Sequence, residues 1–284
     1  MPYFFNRIAL ISLITACLPS YAAAQIIDVK SGAEISEQAL ARHLRTQDIV
    51  LLGELHDNLA HHALRAALLP QFAAKNISII AEHLPAPAQV HFSGHILADL
   101  EAAGFQSEAW AWPLHQPLFE AAHEQGYAVF GGNLPKGWSK QLMQKGEAAM
   151  PDDLATTYRH SPLSPQAQAN LDQDLLDGHC GKLPEKYRQP MRMVQHATDA
   201  SLANALLQHR PSVLVAGNGH VRKDYGVPQV LHAVTPQLKV TSVGFYEKSG
   251  DLKELLKSLS GRYDFVWLTD RADRSDPCDN FTLK

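Results

Sequence analysis

The chain has 284 residues, 45% hydrophobic and 19% charged, which is enough to bury a sizeable core in one large domain or one domain with an insert. Its net charge of −4, with the basic residues dispersed, argues against nucleic acid as a partner. Fifteen histidines are many for this length, so no lone histidine carries an argument by itself.

Residues 1–24 read as a targeting segment. Arg7 and the amino terminus supply a positive start, and Ile8 to Leu18 is an apolar run too short to span a bilayer. Two exits compete. Ala22-Ala23-Ala24 offers ordinary cleavage before Gln25, whereas Ile14-Thr15-Ala16-Cys17 resembles a bacterial lipobox, in which Cys17 is lipidated and becomes the first residue. Small Ala16 before Cys17, at the end of the apolar run, favours the lipobox. Either exit implies export, and the lipobox implies a periplasmic domain held at a membrane by lipid alone, with non-acidic Leu18 fitting the outer membrane.

The remainder, 25–284, reads as one domain. Ser36 can cap a helix over 37–44, and Ile49–Leu52 before Gly53 reads as a strand buried on both faces. A helical run over 59–74 leads to a second strand at 77–81, which ends in Glu82 and His83. Helices over roughly 86–103 and 116–125 flank a loop holding Trp110 and Trp112, and 127–130 is a third strand. From Pro135 to about Gln208 only helical segments appear. The stripe Met191, Val194, Thr198, Leu202, Ala205 and Leu206 reads there as packing. Strands resume at 212–217, 238–244 and 263–268. The fold class is therefore α/β: a mostly parallel β-sheet flanked by helices, with a smaller all-helical insert subdomain at about 135–208. In an oxidising compartment Cys180 and Cys278 are candidates for a disulfide, a free Cys180 near a ligand pocket being the alternative.

One pattern occurs twice. Ile49-Val50-Leu51-Leu52-Gly53-Glu54-Leu55-His56 and Val213-Leu214-Val215-Ala216-Gly217-Asn218-Gly219-His220 are each an apolar run followed by Gly-x-x-His. Both deliver a histidine to the carboxyl edge of a sheet, where ligands bind in open α/β folds. Glu54, His56, Glu82, His83 and His220 can converge there. Such groups can hold a divalent metal that activates water, act as an oriented general base, or form an inert hydrogen-bonded polar core. His61 and His62 follow on a helix, where adjacent side chains diverge by about 100°, so at most one faces that site. Motifs of the common zinc proteases and serine hydrolases are missing, as is a Gly-rich phosphate loop.

Taken together, Leu52-Gly53-Glu54-Leu55-His56-Asp57, His61-His62, Glu82, Gln195-x3-Asp199-x3-Ala203, and Gly217-Asn218-Gly219-His220 with Gly226-Val227-Pro228 resemble the ChaN family of haem-binding uptake lipoproteins. That family lies in a superfamily with the Tiki and TraB proteins and the erythromycin esterases. The resemblance spans about residues 30–245. It implies haem-iron uptake, with haem at a homodimer interface, iron bound by a tyrosine of one subunit, and propionates met by a His and a Lys of the other. An outer-membrane haem receptor is the partner it suggests. Tyrosinate is a hard donor suited to ferric haem. Tyr225 is the first candidate for the iron, in an exposed-looking loop beside His220 with Lys223 two residues away. Tyr187 is the rival, with His179, Lys182 and Lys186 close in sequence. The leading reading is thus a haem carrier without catalysis of its own. The alternatives are a metal-dependent or His-based hydrolase using Glu54, His56 and His220, and an envelope module for another ligand.

Overall fold

The computed structural model describes residues 24–72, 76–279 and 281, and gathers nine strands into one sheet. The strands are β1 (Gln25–Asp28), β2 (Glu34–Ile35), β3 (Ile49–Leu52), β4 (Ser78–Pro85), β5 (Gln89–Val90), β6 (Ala128–Asn133), β7 (Ser212–Val215), β8 (Val240–Glu247) and β9 (Phe265–Thr269). Across the sheet they run β2-β1-β9-β8-β3-β7-β4-β6-β5. The six from β9 to β6 are parallel, and antiparallel β1, β2 and β5 finish the two edges. Central β3 and β7 are buried at every position, as continuous apolar runs in a sheet covered on both faces must be. Their backbones pair residue for residue, Ile49 with Ser212 through Leu52 with Val215, so the two Gly-x-x-His segments leave the sheet side by side.

Ten α-helices accompany the sheet among the described residues: α1 (Glu37–Leu44), α2 (Leu59–Leu68), α3 (Ile96–Ala102), α4 (Gln116–Glu124), α5 (Trp138–Lys145), α6 (Asp152–His160), α7 (Pro165–Gly178), α8 (Glu185–Gln208), α9 (Val227–Val234) and α10 (Leu252–Leu259). Strand alternation sorts them into layers. Val50, Leu52, Ile79, Ala81, Val213 and Val215 point to one side and pack with Leu40, Leu68, Leu100 and Phe119 of α1 to α4. Ile49, Leu51, Ile80 and Leu214 point to the other and pack with Leu202, Leu206, Val230 and Leu259 of α8, α9 and α10. From Leu134 to Gln208 the chain is without strands. Helices α5 and α6 share a third cluster with α8, through Leu142, Leu154 and Ala197. Met193 and Val194 pack at its margin.

Two expectations change. The helix foreseen over 86–103 is instead the short edge strand β5 followed by α3, because Pro85 and Pro87 push the residues before them, Leu84 and Ala86, toward extended backbone. Short β1 and β2 were not anticipated. Both connections after β7 are helical, α9 and α10, giving regular β-α-β crossovers. Cys180 and Cys278, 98 residues apart, are joined by a disulfide with Cα atoms 5.5 Å apart, which ties the C-terminal tail to the turn after α7. No helix among the described residues is long and apolar enough to cross a membrane. The targeting segment, with Cys17, lies outside the described residues.

A polar network at the carboxyl edge

Strand alternation also determines the site. Glu54 follows Leu52 by two residues and His83 follows Ala81 by two, so both enter on the α2 and α4 side; Glu82 follows Ile80 and enters on the α8 side. The sheet edge thus carries two polar groups rather than one.

On the first side Glu54 is buried and its two oxygens do different work. Oε2 pairs with Arg65 of α2, a fully buried guanidinium, and lies 3.0 Å from His62 Nδ1. Oε1 lies 2.7 Å from His56 Nδ1 and 3.3 Å from His83 Nε2. His62 is engaged at both nitrogens, donating Nε2–H to the His56 carbonyl at 2.9 Å and accepting from Arg65 at 3.0 Å. His115, at the start of α4, packs its ring 4.3 Å from both His62 and His83, and Trp110 lies over His56, His83 and His115. Burial holds the imidazoles of His62, His83 and His115 below the usual range, so they are neutral. Burial also pulls Arg65 down to about 9 against the attraction of Glu82.

Across the sheet His220 lies between two acids. Its Nδ1 donates to Asp199 Oδ1 of α8 at 2.6 Å, and Nε2 is 3.4 Å from Glu82 Oε1. Glu82 Oε2 accepts the Gly217 amide at 2.7 Å, and the Gln195 side chain approaches the His220 ring at 3.2 Å. Burial opposes a charge on His220, yet Glu82 and Asp199 outweigh it and raise the imidazolium to about 10. Burial likewise opposes the charge on Glu82, and His220 nevertheless holds it well below the usual carboxylate range. Burial raises Asp199 to about 6 against the pull of His220. The triad is therefore a cation clasped by two acids.

His56 bridges the two groups. Its side chain is 48% exposed, and with Nδ1 turned to Glu54 its Nε2 faces the backbone of Gly217. A Cβ at Gly217 would stand 2.9 Å from that nitrogen, so this glycine makes room for the ring. The five sequence candidates do meet at this edge. Reasoning from sequence missed Arg65 and His115 and gave no role to Asp199 or Gln195. His62 to Arg65 at i, i+3 on one apolar face was the available signal for the arginine; nothing in the sequence singled out His115. Of the paired histidines, His62 faces the site while His61 turns to Thr269 and the Leu55 amide.

The tyrosine loop is corrected. Residues 221–226 form turns, and Tyr225 is 1% exposed beneath α7, its hydroxyl donating to Asp174 Oδ2 at 2.5 Å and its ring under Arg222. Burial and the neighbouring Asp174 raise its phenol, which stays protonated. Lys223 does not share its side: it pairs with Asp264. Tyr187, in the first turn of α8, is 40% exposed, with Lys186 Nζ 4.9 Å from its ring centre. His179 closes α7 and donates Nδ1–H to the Leu175 carbonyl at 2.6 Å, while Lys182 donates to the Phe281 carbonyl.

Comparison with known proteins places these features. A family model described as haem-binding uptake, Tiki superfamily, ChaN matches residues 40–231. Among solved structures, ChaN of Campylobacter jejuni, solved with cofacial haem, superposes with a TM-score of 0.69 at 18% identity, covering 87% of this chain and 97% of that one. A Bacillus cereus protein (TM-score 0.42, 14% identity, 75% of this chain and 69% of that one) and the erythromycin esterase EreC (0.38, 12%, 84% and 80%) are more distant. No curated protein matches. The family match covers both Gly-x-x-His segments and the helical region between them, and so this chain belongs to the ChaN family of haem-binding uptake proteins in the Tiki superfamily.

Proposed function

We propose that the protein carries ferric haem for iron uptake, binding it at a homodimer interface through Tyr187, as a periplasmic lipoprotein anchored to the outer membrane by lipid on Cys17. The observation that carries the tyrosine is accessibility. Among the described tyrosines only Tyr187 is exposed; Tyr127, Tyr225 and Tyr263 are buried, and Tyr158 and Tyr246 are partly so. A haem iron must reach the phenolic oxygen from outside, and Tyr187 meets that condition. The cations and imidazole for propionates are at hand in His179, Lys182 and Lys186, and in a two-fold dimer each subunit can give a ligand to one haem and a cation to the other. Lys223, paired with Asp264, is a weaker candidate. Hemin added to the purified protein should give a Soret band and shift the mass in light scattering from monomer to dimer; a band with no change of mass would refute the shared interface. Cys17→Ser should release the protein from membranes and abolish fatty-acid labelling.

A second reading has one observation in its favour. His56 is half-exposed, its Nδ1 is held by buried Glu54, its Nε2 faces the Gly217 backbone, and it shares buried Glu82 as an electrostatic neighbour with the His220 imidazolium. That pairs a positioned base with a cationic donor for developing negative charge, as hydrolysis requires. An esterase activity lost in His56→Ala, with haem binding retained, would establish it.

A further inference from the structure

We infer that Glu54, His83 and His115 form a binding site for one divalent transition-metal ion of the zinc class, beneath Trp110 and separate from the haem surface. One ligand atom from each of the three residues falls within 4.8 Å of the others, and all three residues are buried. Around a tetrahedral ion with bonds near 2.05 Å the donors sit roughly 3.4 Å apart, so small ring rotations close the set. Two imidazoles and a carboxylate leave the fourth position open, the ligand set that suits zinc, cobalt or ferrous iron.

Independent of that spacing, the set has unsatisfied polar atoms. Nδ1 of His83 and Nδ1 of His115 are buried and have no hydrogen-bond partner, although the residues are 3% and 1% exposed. Burying such nitrogens without partners costs about 1–3 kcal/mol each, a cost that His196 in the helical layer also bears. His62, the third ring of the group, is by contrast bonded at both nitrogens and has none to spare. The opposing charge is Arg65, and it sits on Oε2 of Glu54; Oε1 faces Nε2 of His83 at 3.3 Å and Nδ1 of His56 at 2.7 Å, so Nε2 is the nitrogen His83 turns to the carboxylate, and a metal there would displace the His56 contact.

The test uses the whole protein, stripped with a chelator and dialysed against Co2+ alone. One equivalent should bind with the intense visible bands of four-coordinate cobalt, and Zn2+ should erase them. His115→Phe keeps a ring in the aromatic contacts but removes a ligand, so it should weaken cobalt binding by more than about 100-fold, beyond the roughly 10–100-fold loss typical for an outer-shell partner. His160→Ala, on the exposed end of α6, should bind as the native protein does, and a hemin Soret band in each variant reports that it is folded. Haem binding and cobalt binding are read separately, so either can fail alone. Absence of cobalt bands in the native protein, or bands unchanged in both His83→Phe and His115→Phe, would overturn the site.

Discussion

Arg65 and Glu54 are both fully buried, and neither has another charged partner of opposite sign as close. Replacing such a pair by apolar groups can be neutral, but removing one member strands the other charge. Glu54→Gln should therefore cost about 3–5 kcal/mol in urea unfolding; a cost below ~1 kcal/mol would show that Arg65 is not charged there, or is solvated. A residue-scale reading of the sequence reached Glu54, His56, Glu82, His83 and His220 because each stands beside a strand end with a turn glycine or a buried run. It did not reach Arg65 or His115. Arg65 lies on α2, directly after β3, and only its i, i+3 spacing from His62 marked it; His115 comes from the start of α4, distant in the chain, where a lone polar residue looks the same in sequence whether it faces water or a carboxylate. The exposure expected of Tyr225 was not met for a related reason: a polar loop next to a strand looks exposed until α7 is seen lying over it.

At the scale of elements, the parallel strands were legible because burial on both faces leaves unbroken runs of β-branched and aliphatic residues. Edges were not legible, since β2 and β5 are two residues each and owe their pairing to neighbours rather than to any pattern. The β4 to β6 junction shows how closely such elements meet. Gly131 of β6 has the Pro85 carbonyl where a Cβ would stand, only 2.1 Å away, and that carbonyl is backbone and cannot rotate aside. Gly131→Ala should destabilise by about 3 kcal/mol, the upper range for overpacking. A loss under ~1 kcal/mol in the same urea titration would mean that β4 can shift at its register irregularity to make room.

For the molecule as a whole, two features set stability. The disulfide closes a 98-residue separation, so Cys278→Ser should cost roughly 2–5 kcal/mol by freeing the unfolded chain. Acid should weaken the fold through its buried neutral histidines. Burial lowers His61 to about 4 despite the attraction of Glu247, and burial lowers His196 to about 4 as well. Such groups contribute full stability above the unfolded value near 6.5 and lose it as pH falls toward 4, each by ~1.4 kcal/mol per pH unit. His220 has the opposite sign. Its raised value adds stability that is complete below 6.5 and fades as pH climbs through about 10, so it adds no slope in acid. Thermal unfolding should accordingly show a maximum near neutrality, and a midpoint unchanged between pH 7 and 4.5 would contradict this account. The central claim, that this ChaN-family chain takes haem iron on the exposed tyrosine of the helical region, is tested most directly by titrating hemin into the native protein, Tyr187→Phe and Tyr225→Phe and recording the visible spectrum. The account predicts a tyrosinate-to-iron charge-transfer band in the native protein and in Tyr225→Phe, and its loss in Tyr187→Phe. A band that survives in Tyr187→Phe would contradict it.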